Sequence, residues 1–65
     1  MPRDPVELHN VVCKVETERA ILCVIGDDEH WIPKSQIEPD SEVQGLKDEG
    51  TLVISAWIAR EKNLD

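Results

Sequence analysis

From Val6 to Val15 the chain reads VELHNVVCKV, with Val11, Cys13 and Val15 on one phase of a two-residue alternation and Asn10, Lys14 and Glu16 on the other. That period belongs to a half-buried β-strand. The polar cluster Glu16-Thr17-Glu18-Arg19 breaks the pattern, and Ala20–Ile25 (AILCVI) follows as an unbroken apolar run too short for a helix. Such a run predicts a central strand covered on both faces. Gly26-Asp27-Asp28-Glu29 then signals a turn, since glycine takes positive φ freely and aspartate bonds its own backbone. A third, short strand, His30-Trp31-Ile32, stops at Pro33, which has no amide to give to a ladder.

Between Pro33 and Ile37 the spacing predicts a tight turn or one 3₁₀ turn, with Ile37 dipping back to the core. After the polar stretch 38–42, Val43 and Leu46 lie among glycines, and Thr51-Leu-Val-Ile54 is again β-branched and apolar, giving one or two further strands. Ser55 fits a helix N-cap before Ala56–Leu64, where Trp57 and Leu64 stand seven positions apart on one helical face. A helix of about nine residues does not hold alone in water, so that face must pack on the sheet or on a second subunit. Residues 1–5, with two prolines and no period, read as a flexible or extended lead-in to one domain spanning 6–65.

Four to five short strands joined by tight turns and a 3₁₀ corner, then a short helix over 56–64, predict a mainly β fold: a small antiparallel barrel of the SH3-like kind. An OB-like barrel is the alternative. At 65 residues the chain holds one domain at most, near the length where a single core only just outweighs chain entropy. With no Phe or Tyr, that core is built from Val, Ile, Leu and two Trp.

A formal net charge of −7 repels nucleic-acid phosphates and anionic lipid surfaces. The acids concentrate between Asp27 and Gly50, against Lys34 and Lys47 alone. An acidic surface is most often a solubility device, and otherwise suits a basic partner or imitation of a polyanion. No run approaches the length of a membrane span, and the first residues lack the apolar core of a signal peptide, so a soluble cytoplasmic protein is expected. Cys13 and Cys23, inside apolar runs, fit reduced buried thiols.

The string His30-Trp-Ile-Pro-Lys-Ser-Gln-Ile37 resembles a motif of short bacteriophage and prophage proteins. The resemblance extends to Glu16–Leu22, to Gly50–Ile54, and to Trp57-Ile-Ala59, Glu61 and Leu64, covering about residues 16–64. Related sequences often carry Pro-Glu where this chain has Ser55-Ala56, which leaves the helix start open. The resemblance implies an accessory protein of a phage or mobile element, in the cytoplasm of a bacterial host, and supplies no catalytic residue and no ligand.

Candidate chemistry is sparse. His9, Cys13, Cys23 and His30 include the ligand types of a zinc site, and a turn near Glu18 sets Cys13 opposite Cys23, but the paired thiol knuckle of structural zinc sites is missing. No metal or cofactor is expected; a cross-strand disulfide or redox pair is the other minor reading of the thiols. Ser35 after Pro-Lys is a turn residue, no motif joins it to a base, and the glycines at 26, 45 and 50 are too scattered for a phosphate loop. The chain is therefore read as non-catalytic.

Trp31 with Lys34 and Gln36 is a candidate platform for a base or a peptide, although with so few aromatics Trp31 is more simply a core filler. Asp27, Asp28 and Glu29 form a candidate acidic surface, and Trp57 with Leu64 a candidate face for homo-oligomerisation. The leading expectation is a small protein-interaction module acting on a protein partner. Single-stranded nucleic-acid binding is an alternative that the net charge disfavours, and an acidic inhibitor mimicking nucleic acid is another.

Overall fold

Two register slips in the first strand shape the whole sheet. The computed structural model describes residues 4–64; positions 1–3 of the expected lead-in, and residue 65, lie outside the described residues. Strands β1 (Val6–Glu16), β2 (Ala20–Ile25), β3 (Asp28–Pro33) and β4 (Glu49–Ile54) form one antiparallel sheet in the order β3-β2-β1-β4, followed by helix α1 (Ala56–Glu61). β1 pairs with both β2 and β4, and a bulge interrupts each ladder. One falls between Leu8 and Val11, where Asn10 takes φ 59°, a left-handed conformation that asparagine tolerates. The other falls between Cys13 and Val15, leaving Lys14 as the extra residue. Bulges bend and twist the strand that carries them, so the long β1 curls around the core.

The second bulge corrects the expected phase of β1. Val11 and Cys13 are buried, but Val15 is 40% exposed, because the added residue turns it to the outer face. Along β2 the inward positions Ile21 and Cys23 are buried, whereas Leu22 and Val24 are only half-buried on the other side. The apolar run therefore makes a central strand, as its composition predicts, but one covered on a single face. β3 begins two residues earlier than expected. Gly26 alone has positive φ (63°) in the Gly26-Asp27 turn, the pattern of a two-residue II′ hairpin.

Where a fifth strand is conceivable, at Val43 and Leu46, the chain instead forms an irregular loop. Val43 is buried and Leu46 is half exposed. The preceding segment runs along the outer edge of β4: Glu38 N donates to Val53 O (2.9 Å), Glu42 N to Thr51 O (2.9 Å), and Ile37 bridges Ile54. β3 and β4 are the two edges of the sheet and do not pair with each other. The loop is anchored by Ser41, which is buried and whose hydroxyl accepts from the amides of Val43 (3.2 Å) and Val53 (3.0 Å) while donating to Val43 O (3.0 Å).

Ser55 caps α1 by accepting from Ile58 N at 3.3 Å. The helix ends at Glu61, short of the expected 64, because Asn63 enters the left-handed region (φ 58°). Asn63 N then donates to Arg60 O and Leu64 N to Ala59 O (2.7 Å), the paired bonds of a Schellman stop. Ile58, Ala59 and Leu64 pack on the core, and no helix among the described residues is long and apolar enough to cross a membrane.

Candidate interaction surface

Cross-strand pairing places side chains of paired residues on the same face, so the register defines what the outer face of the sheet presents. One row runs Trp31–Leu22–Val15 and the next Glu29–Val24–Val12, across β3, β2 and β1. Trp31 is 44% exposed, Val15 40% and Val12 39%, with Leu22 and Val24 half-buried between them. Five apolar side chains thus share a face that no other element among the described residues covers. Trp31 is outside because Ile32 takes the inward phase of β3 and is fully buried. The smaller isoleucine, not the tryptophan, is the core filler here.

The polar groups on this face are paired. Lys14 Nζ donates to Glu29 Oε2 at 2.7 Å, with both side chains about half exposed. Because Lys14 is on β1 and Glu29 on β3, the pair reaches across β2, laying the lysine stem near the levels of Leu22 and Val24. An exposed pair of this kind adds little to stability and yields readily to a competing contact. Beyond Val12 stands Glu49 of β4, at the margin of the face. A shallow open groove of about 370 Å³ adjoins it at the Asn10 bulge, lined by Asn10, Val11, Val12, Glu49 and Gly50.

The other predicted groupings are arranged differently. Of the Trp31, Lys34 and Gln36 platform, only Trp31 is free: Lys34 Nζ donates to Glu16 Oε2 at 2.6 Å, and Gln36 Oε1 accepts from the Ser55 hydroxyl at 2.6 Å. Glu16 also accepts from Leu46 N at 2.9 Å. That amide and then Lys34 hold its carboxyl below the usual carboxylate range. Glu16 therefore ties the end of β1 to the 3₁₀ turn Lys34–Gln36 and to the 44–48 loop, a role its place in a polar cluster does not announce. Asp27, Asp28 and Glu29 are exposed at the β2–β3 hairpin, with Glu29 held by Lys14. Trp57 is 60% exposed on α1 while Leu64 packs against the core, so the Schellman reversal separates the two residues that a longer helix would have put on one face.

The thiols lie in register, Cys13 opposite Cys23, with His30 opposite Cys23 on β3. Both are free and buried. Cys13 directs its amide to Asp48 O and its carbonyl to Lys47 N, away from β2, so the Cys13–Cys23 pair is of the close, non-hydrogen-bonded kind. Burial, and next the neighbouring Cys13, push the Cys23 thiol up to about 12; burial followed by Glu16 raises Cys13 as well. A thiol held protonated in this way is a poor nucleophile and a poor metal ligand. His9 lies apart, its Nδ1 3.1 Å from the Thr51 hydroxyl. Comparison with protein-family models, with curated proteins and with solved structures finds no match for the chain.

Proposed function

We propose that this chain is a non-catalytic protein-interaction module, an accessory protein of a phage or prophage acting in the bacterial cytoplasm, with its curled sheet serving as an SH3-like barrel. The observation that carries the reading is the outer face of β1–β2–β3, where Val12, Val15, Leu22, Val24 and Trp31 remain together in contact with water. Contiguous apolar patches of this sort on small domains commonly mark binding sites. The barrel reading draws support from the 36–42 segment, which follows β4 as a further strand would.

A second reading, binding of single-stranded nucleic acid, has one observation in its favour, the exposed indole of Trp31. Base stacking also needs a cationic groove for the backbone, and here Lys14 and Lys34 are both engaged by carboxylates. Imitation of a polyanion rests on the carboxylates between Asp27 and Gly50, of which Asp27 and Asp28 are exposed at the hairpin while Glu29 is held by Lys14.

The test is retention of partners from bacterial lysate by tagged wild-type and Trp31→Lys protein, with and without nuclease. The interaction reading expects a protein that survives nuclease and is lost with Trp31→Lys. Retention of nucleic acid, or of proteins only through it, overturns that reading in favour of the second.

A further inference from the structure

We infer that the outer face of β1–β2–β3 is the interface of a symmetric dimer, its occupant a second copy of this chain. This rests on the interaction reading above and names the partner. The chain carries −7, yet across these three strands the face holds one cation and one anion, Lys14 and Glu29, with Glu49 only at its margin. Two copies meeting across the acidic stretch between Asp27 and Gly50 bring like charges together; meeting here, they do not. A basic partner finds no excess of carboxylates among these apolar residues, and a nucleic acid finds, among the described residues of the face, a single lysine set against a carboxylate.

The face is also self-complementary. In a two-fold dimer each contact occurs twice with the roles exchanged. With the axis running along β2, β1 of one copy lies over β3 of the other. Trp31 then covers the second copy's Val15, and Lys14 meets the second copy's Glu29. The two internal Lys14–Glu29 pairs, one in each copy, are exchanged for two intermolecular ones, so no charge is left unpartnered. Six residues along three strands measure about 20 by 14 Å. That footprint is well below a standard interface, so the dimer is weak and concentration-dependent.

The open edge of β3 is the less suitable meeting place. The Ile25–Asp28 pair closes the two-residue turn and is hydrogen-bonded, so along β3 only Glu29 and Trp31 turn their amides outward, and Pro33 has none. Lys34 N donating to Arg19 O at 2.8 Å keeps the same alternation. A short edge bearing acids and a proline resists strand addition.

The experiment is sedimentation equilibrium of the full chain from about 1 to about 500 µM, a range that brackets weak self-association. It is run on wild type, Trp31→Lys, Lys14→Glu, Glu29→Lys and the double exchange Lys14→Glu/Glu29→Lys, with circular dichroism as the control for folding. Wild type is expected to move from 7.4 kDa to twice that mass. Trp31→Lys should stay monomeric, each single reversal should weaken association by about tenfold or more, and the double exchange should restore it. If Trp31→Lys fails to fold, the charge series decides alone. A wild type that is monomeric throughout, or single reversals that leave association unchanged, overturns the dimer. A monomer that still retains a nuclease-resistant partner leaves the interaction reading standing, whereas a dimer that retains nothing removes the partner and keeps the interface.

Discussion

Replacing Ser41 by alanine removes one oxygen and leaves two buried amides without an acceptor. Val43 is fully buried and Val53 nearly so, and both donate to the Ser41 hydroxyl. A buried donor left unsatisfied costs about 1–3 kcal/mol, so two cost about 2–6 kcal/mol, reduced somewhat because the lost hydroxyl no longer needs desolvation. A chain of this length is stable by about 3–10 kcal/mol in all. Ser41→Ala should therefore lose a large share of the total and lower the melting temperature by about 10–40 °C. Urea unfolding followed by far-ultraviolet circular dichroism measures the loss, with Ser35→Ala, on an exposed turn residue, expected to stay within about 0.5 kcal/mol of wild type. A Ser41→Ala protein equally close to wild type would refute the claim that this hydroxyl fastens the 38–48 loop to β4.

Gly50 sits at φ 131°, and a Cβ there meets Glu42 Oε1 at 2.6 Å, so Gly50→Ala should cost about 1–3 kcal/mol, read by the same urea assay. Above the ordinary thiol value of 9.0 the unfolded chain loses thiol protons that buried Cys23 keeps up to about 12, so the unfolded state binds fewer protons and stability falls as pH rises through that window. The expected slope, up to about 1.4 kcal/mol per pH unit for one such thiol, should flatten in Cys23→Ala when urea midpoints are compared across alkaline pH. On the helix, Ile58→Ala should cost about 2–5 kcal/mol as a core truncation. Trp57→Ala should cost under about 1 kcal/mol in the same assay.

Much of the fold is legible in local sequence because local chemistry determines it. The unbroken run Ala20–Ile25 is the strand flanked on both sides, Gly26-Asp27 is its hairpin turn, Pro33 ends β3, and Ser55 caps the helix. What is not legible depends on partners distant in sequence. Lys14 looks like an ordinary outward residue of an alternating strand. Only pairing with β2 shows it to be the bulge that turns Val15 outward. Trp31 reads as core filler by size, yet the phase set by Ile32 places it in solvent. Asn63 and Leu64 read as the continuation of an amphipathic helix, and the backbone instead reverses there to bring Leu64 onto the core.

The candidate surface was hidden for the same reason. Its five apolar residues come from three strands, each contributing one or two, and no single segment shows a patch. Glu16 and Ser41 likewise act through Leu46, Lys34, Val43 and Val53, most of them far along the chain. Their sequence neighbourhoods show only that they are polar.

The central claim, that association occurs on the Trp31 face, is tested most directly by acrylamide quenching of Trp31 fluorescence in Trp57→Phe protein. The measurement is made at rising protein concentration, with the mass followed in parallel. The account predicts a readily quenched indole in the dilute monomer, and emission that shifts to the blue and becomes protected in step with the doubling of mass. A doubled mass with Trp31 still fully quenched would contradict it, placing the interface elsewhere on the molecule.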